Sequence, residues 1–155
     1  MLCLERENKM KTKILVFLLC SVYFAFTQVN AEIDSKKVIE EKELTAVEAA
    51  KSWVILVDEG KYNKSYLKAA DYFKNAVTEE QWLQGMTATR NPLGKVLLRE
   101  LKSKKYMTEL PGAPDGEYVV IQFNTSFENK KSSVETITQM LEKDGTWKMS
   151  GYFIK

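Results

Sequence analysis

The sequence predicts an α+β fold in which three N-terminal helices pack on a curved four-stranded antiparallel sheet. Two observations support this prediction. Between residues 44 and 90, apolar residues recur at the helical period, and after Gly94 the pattern changes to the two-residue alternation of strands. Turn-forming residues, rather than further helical segments, separate the strands, which favours an antiparallel meander.

Composition limits the chemistry of the chain. With 155 residues, 45% of them apolar and 28% charged, the chain is long enough for one folded domain. A formal net charge of +2 does not suggest a nucleic-acid partner. Because the chain has no histidine and two cysteines, imidazole catalysis and the usual zinc sites are excluded. We therefore expect no metal and no cofactor.

Residues 1–31 have the pattern of a signal peptide. A cationic stretch from Met10 to Lys13 precedes thirteen mostly apolar residues, and the small residues Val29 and Ala31 suit a cleavage site after Ala31. The apolar run is shorter than the roughly 20 residues of a membrane span, although an uncleaved anchor is an alternative. Met10 is an alternative start of the chain. The mature protein is therefore expected to be periplasmic or secreted, without a stable membrane span.

Cleavage would remove both cysteines and leave a thiol-free, formally neutral chain. Residues 32–42 hold seven charged residues and little apolar surface, which is typical of a flexible charged spacer. Residues 43–155 then form a single α+β domain.

Capping boxes predict where two of the helices begin. Thr45 and Glu48 form the first box, and the first helix ends at Gly60. Its apolar stripe comprises Leu44, Val47, Ala50, Val54 and Val57, with Trp53 beside them. A second helix carries Tyr66, Ala70, Phe73 and Val77 on one stripe. The third helix follows a box at Thr78 and Gln81 and ends near Pro92.

Four alternating segments predict the strands. They begin at Val96, Tyr118, Val134 and Trp147, and Asp144-Gly145 is a two-residue hairpin signal between the last two. In that register Met140 faces Met149, Thr138 faces Gly151, and Ile137 faces Tyr152. Both faces of the sheet then carry apolar groups, so we expect each face to be at least partly covered. A strongly curved sheet wrapped around the helices, a cone, satisfies this arrangement.

Three segments in order carry a family resemblance: LPGAPDGEY from Leu110 to Tyr118, ETIT from Glu135 to Thr138, and GYFIK from Gly151 to the C-terminus. From about Ala46 onward the chain resembles the domain-of-unknown-function 4019 family. The resemblance implies an exported bacterial protein whose cone-shaped fold is related to that of nuclear transport factor 2. It implies no established activity and supplies no catalytic residues.

The candidate ligand-binding residues have two interpretations. Trp53, Trp82 and Trp147 are candidates for a ligand-pocket wall, but packing in the core is the more common role of tryptophan. Arg90 and Arg99 suit a shared anionic group, or alternatively ion pairs with Glu117, Glu135 or Asp71. Arg99, with apolar sequence neighbours, is the better candidate for partial burial.

Glu135 is the candidate for acid–base chemistry, because burial in a cone would raise the pKa of its carboxyl group. It opposes Ile154 near a strand end, however, where contact with solvent is expected. Tyr152 and Asp71 are weaker candidates as helpers. Lys102, Lys104 and Lys105 suit anionic lipid or polysaccharide, or equally a guarded edge strand.

The sequence thus favours an exported domain that binds a small or peptide-like ligand, or an envelope protein, without catalysis. The alternatives are a small isomerase- or hydrolase-like enzyme that uses a pocket carboxylate and a structural envelope or assembly protein. The candidate ligand-binding residues are Trp53, Trp82, Arg90, Arg99, Glu135 and Tyr152. The identity of the ligand and the oligomeric state are left open by the sequence.

Overall fold

A computed structural model describes residues 32–155. The predicted signal peptide, residues 1–31, lies outside the described residues. Residues 32–40 are helical and exposed, so the backbone of most of the predicted spacer is helical; its role as a flexible spacer stays a prediction. Residues 41–155 form one compact unit.

The first helix of this unit, α1, covers residues 41–58. The prediction that it begins at a Thr45 cap is wrong. The Thr45 hydroxyl donates to the carbonyls of Glu41 and Lys42, at 3.1 and 3.0 Å, and so lies within the helix. The glutamate and lysine residues before Thr45 are good helix formers, so helical backbone extends across them. α1 buries Ala46 and Trp53 in the core, whereas Leu44 is 53% exposed.

The predicted second helix is two short helices, α2 (Tyr62–Leu67) and α3 (Asp71–Ala76). The break comes from the sheet: the Ala70 amide donates to the carbonyl of Met149 at 2.8 Å, and Ala69 forms a parallel bridge with the same residue. The sequence between the two helices contains neither glycine nor proline, so no local signal marks this break. The domain therefore has four α-helices rather than three.

The third predicted helix is α4 (Glu79–Arg90), followed by a 3-10 turn (Asn91–Leu93). Its capping box is confirmed. The Gln81 amide donates to the Thr78 hydroxyl at 3.2 Å, and the Thr78 amide donates to the Gln81 side chain at 2.9 Å. The helix ends before Pro92, as predicted, because proline has no amide hydrogen to continue the helical hydrogen bonds.

The sheet is four-stranded and antiparallel, as predicted, with the strands in the order of the sequence. The strands are β1 (Val96–Met107), β2 (Tyr118–Phe127), β3 (Ser133–Leu141) and β4 (Trp147–Ile154). One face packs on the helices and buries Val119, Ile121, Phe123, Ile137 and Met149. On the other face, Leu98 and Phe153 are more than half exposed, so the helices of this domain cover one face only. The cone-like form stays a prediction.

The β3–β4 hairpin differs from the predicted register near its turn. Thr138 pairs with Gly151 and Ile137 with Tyr152, as predicted, but Met149 pairs with Gln139 rather than with Met140. The Glu142 amide donates to the Thr146 carbonyl, which makes the loop three residues long, with Gly145 at a φ of 80°. A register shift between Thr138 and Gln139 offsets the extra loop residue.

Candidate functional site

Glu135 lies at the centre of a buried hydrogen-bond network. Its side chain is fully buried and accepts two hydrogen bonds from Arg99, at 2.6 and 3.2 Å. The hydroxyls of Thr125 and Tyr152 donate to it at 2.5 and 2.6 Å. These contacts give each carboxylate oxygen two donors, which is the full capacity of an ionised carboxylate. The expectation that Glu135 contacts solvent is wrong, because β2, β4 and Arg99 enclose it.

Asp58, in the last turn of α1, continues this network. Arg99 donates to both of its oxygens, at 2.6 and 2.9 Å, and Arg90 donates to it at 3.1 Å. Arg90 also donates to the Gly94 carbonyl at 2.6 Å and lies over the Phe127 ring. The two arginines therefore do share an anionic group, but this group belongs to the protein. Arg90 is 3% exposed, so it is more deeply buried than Arg99, contrary to expectation.

The charges balance within this network, which we call the Glu135 network (Asp58, Arg90, Arg99, Thr125, Glu135 and Tyr152). Burial alone lowers the pKa of Arg99, but hydrogen bonds and charge interactions with Asp58 and Glu135 outweigh burial, so this pKa is raised. The pKa of Tyr152 is raised above its ordinary value by burial first, and then by the charge and hydrogen bond of Glu135. The network thus favours a charged Arg99 and a neutral Tyr152.

The raised pKa of Tyr152 predicts a loss of stability at high pH. Below about pH 10 this phenol is neutral in both the folded and unfolded states and contributes no pH dependence. Above this pH the unfolded chain releases the proton while folded Tyr152 retains it, so stability falls by up to about 1.4 kcal/mol per pH unit. In urea unfolding between about pH 10 and 12, Tyr152→Phe is expected to show a shallower decline than the wild type. Tyr72→Phe is the control, and equal slopes for the wild type and Tyr152→Phe would contradict the assignment.

Aromatic rings connect the network to the helices. The ring centroids of Trp53 and Tyr152 are 5.4 Å apart, and those of Trp53 and Trp82 are 6.1 Å apart. Both indole nitrogens bind the buried Ser65: Trp53 donates to its carbonyl at 2.9 Å and Trp82 to its hydroxyl at 3.0 Å. All six candidate ligand-binding residues therefore belong to one cluster. Within it the structure gives the tryptophans a packing role, and Arg90 Nε is the polar atom left without a partner among the described residues.

The alternative ion-pair partners have separate roles. Glu117 pairs with Lys42 and Asp71 with Lys74, so of the three expected partners only Glu135 binds an arginine of the network. The side chain of Glu117 also accepts a hydrogen bond from the Tyr106 hydroxyl. Lys104 lies 3.6 Å from Glu43, and the role of the β1 lysines at an anionic surface stays a prediction.

A cavity of about 200 Å³ lies among α1, the end of α2, β3 and β4. Its lining includes Trp53, Lys68, Gln139, Trp147 and Met149. Gln139 is fully buried, and neither its amide nitrogen nor its amide oxygen has a hydrogen-bond partner among the described residues. Such buried, unsatisfied groups are rare in native proteins, and an ordered water or a bound ligand is one explanation for them. We call this site the Gln139 cavity.

A larger, open depression of about 840 Å³ follows α4 from Glu79 to Ala88. Its described lining comes from this one helix and includes no buried polar atom without a partner. The smaller Gln139 cavity therefore has the stronger chemical signature.

Residues 49–152, from within α1 to within β4, match the sequence model of a family described as "Protein of unknown function (DUF4019)". The chain belongs to the DUF4019 family. No curated protein and no solved structure matches it. The matched region of this DUF4019 chain contains the whole Glu135 network and the residues that line the Gln139 cavity.

Within residues 32–155 of the DUF4019 chain, no three histidine, cysteine, aspartate or glutamate side chains are grouped as metal ligands. In the same part of the chain, no helix is long and apolar enough to cross a membrane.

Sequence reasoning missed Asp58 and Gln139. An acidic residue in the last turn of a helix is unfavourable because of the helix dipole, so the position of Asp58 was a signal for a cationic partner. Gln139 continues the inward alternation of Glu135 and Ile137 along β3, and a polar residue at an inward position is also a signal.

Proposed function

We propose that this DUF4019 chain is an exported bacterial domain, periplasmic or secreted, that binds a small or peptide-like ligand without catalysis. The ligand occupies the Gln139 cavity rather than the Glu135 network. The observation that carries this proposal is the fully buried Gln139, whose two amide atoms have no partner among residues 32–155. Export rests on the signal-peptide pattern of residues 1–31.

The geometry of Glu135 supports binding over acid–base catalysis. A general base needs a lone pair within reach of a substrate proton. Both oxygens of Glu135 are already occupied by donors from Arg99, Thr125 and Tyr152, and the side chain has no exposed surface. Chemistry at this carboxylate would require the network to open, at the cost of leaving buried charges unpaired.

The chemistry of glutamine supports a peptide-like ligand. Its side chain carries two N–H donors and a carbonyl acceptor next to each other. The N–H and C=O of an extended peptide residue point to the same side and are complementary to the glutamine amide, so two successive amide groups can pair with both ends of Gln139, whereas a single trans peptide group pairs with one end at a time. The neighbouring Trp53, Trp147 and Met149 offer apolar contact for the rest of the ligand.

N-acetylglycinamide, a neutral molecule with peptide groups, tests the proposal. At about −0.3 kcal/mol per atom, its roughly eight non-hydrogen atoms give a dissociation constant on the order of 20 mM. In ¹H–¹⁵N NMR spectra of the purified chain, we expect this probe to shift the side-chain amide signals of Gln139 in a saturable manner. The backbone amides of Trp53 and Met149 should shift with the same dissociation constant.

Gln139→Met removes the amide but keeps the length of the side chain, and it is expected to abolish these backbone shifts. Gln122→Met, on β2, is the matched control and should leave binding unchanged. Ala49→Met fills the cavity from α1 without removing Gln139 and should also abolish binding. The absence of saturable shifts in the wild type at about 100 mM probe, five times the expected constant, would overturn the proposal in favour of a structural domain with a water-filled cavity.

A further inference from the structure

We infer that the ligand of the Gln139 cavity is a small acid that contains a peptide group, such as an N-acylated amino acid, and that Lys68 binds its carboxylate. This inference rests on the proposed function and adds the charge, size and orientation of the ligand.

The charges of the residues that line the cavity indicate the charge of the ligand. Two lysines, Lys68 and Lys148, line the cavity, and its described lining contains no aspartate or glutamate. Lys148 has a loose ion pair with Asp144, at 3.9 Å. For Lys68, no carboxylate oxygen of residues 32–155 lies within ion-pair distance. The described lining therefore carries two cations and no carboxylate, and only the loose pair with Asp144 offsets this charge, which favours an anion.

The burial of Gln139 and the exposure of Lys68 indicate how the ligand is oriented in the cavity. Gln139 is fully buried and Lys68 is exposed, and both line the cavity, so a ligand that reaches both has one end in the protein interior and the other in contact with solvent. A carboxylate at Gln139 would satisfy the amide nitrogen but not the amide oxygen, because an ionised carboxylate only accepts hydrogen bonds. A carboxylate at Gln139 would also lose its hydration without a cationic partner, which is costly. The neutral peptide group, which can donate to the amide oxygen or accept from the amide nitrogen, therefore belongs at Gln139, and the carboxylate belongs at Lys68, where it stays partly hydrated.

The volume of the Gln139 cavity limits the size of the ligand. A cavity of about 200 Å³ has room for several water-sized groups, so it can hold a small ligand. N-acetylglycine, with about eight non-hydrogen atoms, is a ligand of this size class. A small free acid therefore suits the cavity better than a folded partner does.

Lys68 also has a simpler role, which the experiment must separate from binding. It is the C-cap residue of α2, where a cation interacts favourably with the helix dipole. Such a role affects stability and does not distinguish a charged ligand from a neutral one of equal size. The test therefore compares two ligands on each variant.

N-acetylglycine and N-acetylglycinamide have the same number of non-hydrogen atoms and differ in charge. In NMR titrations of the purified chain we expect the acid to bind about tenfold more tightly than the amide. In Lys68→Met this ratio should fall to about one, mainly through weaker binding of the acid. Lys131→Met, an exposed lysine in the β2–β3 turn, is the control and should keep the tenfold ratio.

The possible outcomes test separately the acidic ligand, the role of Lys68 and the proposed function. Equal binding of acid and amide in the wild type, abolished by Gln139→Met, would overturn this inference and leave the proposed function standing. A tenfold preference that persists in Lys68→Met would overturn the assignment of Lys68. If neither probe shifts the Gln139 signals, the proposed function itself fails. Propionate, which has the charge but no peptide group, should bind more weakly than N-acetylglycine, and equally tight binding would overturn the role of the peptide group.

Discussion

Arg99→Met is expected to lower the free energy of unfolding by about 3–5 kcal/mol, because it leaves the fully buried Glu135 without its cationic partner. Asp58 would lose two hydrogen bonds as well, although its side chain is 23% exposed and water can replace part of them. Urea unfolding at neutral pH, followed by circular dichroism, measures the effect.

A double variant separates the contribution of charge from that of packing. In Arg99→Met/Glu135→Gln no uncompensated buried charge remains, and the glutamine oxygen can still accept from Thr125 or Tyr152. This double variant should therefore be more stable than Arg99→Met alone. Lys102→Met, on the exposed part of β1, is the control and should stay within about 0.5 kcal/mol of the wild type. A similarly small effect of Arg99→Met would contradict a structural role for the Glu135 network.

Trp82→Ala is expected to cost about 3–5 kcal/mol of stability. Trp82 is 8% exposed and packs its ring edge-on against Phe73, with ring centroids 5.3 Å apart. Its removal leaves a cavity in the core and leaves the Ser65 hydroxyl without a donor. Thermal or urea unfolding measures this loss.

Gln84→Ala, on the exposed side of α4, is the matched control and should change stability by no more than about 0.5 kcal/mol. If Trp82 formed a ligand wall instead, Trp82→Ala would retain most of its stability and weaken the binding of N-acetylglycinamide. If Trp82 packs in the core, Trp82→Ala lowers stability and does not directly weaken the binding of N-acetylglycinamide, because Trp82 does not line the Gln139 cavity.

Local signals predicted part of the secondary structure, although the capping signal at Thr45 was wrong because helical backbone extends across it. The Thr78 capping box, the helix end before Pro92 and the four strands depend on neighbouring residues, and the structure confirms them. The break at Ala69 and Ala70 was not predictable in this way, because a hydrogen bond to Met149, about eighty residues away, interrupts the helix. The predicted β3–β4 register was wrong near Gly145, because the loop contains three residues rather than two. A register shift between Thr138 and Gln139 compensates for the third residue, so the pairs farther from the loop are as predicted.

The candidate site shows the same division. The structure brings the six candidate residues into one cluster. They were selected from the sequence because large aromatic and charged side chains within apolar segments are candidates for a binding site. It did not predict that Asp58 would complete the charge balance or that Gln139, two positions beyond Ile137, would line a cavity. Both depend on which chain segments pack against them.

The sequence by itself determined that helices precede the strands, because the periodicity of apolar residues depends on residues close together in the chain. The family and the absence of histidine also follow from the sequence alone. Only the tertiary structure decided that Arg90 and Arg99 are neutralised within the protein and that Gln139 has no partner among the described residues. The physical reason is that hydrogen bonds and burial depend on distances in space, and α1, β1, β3 and β4 meet only when the chain folds.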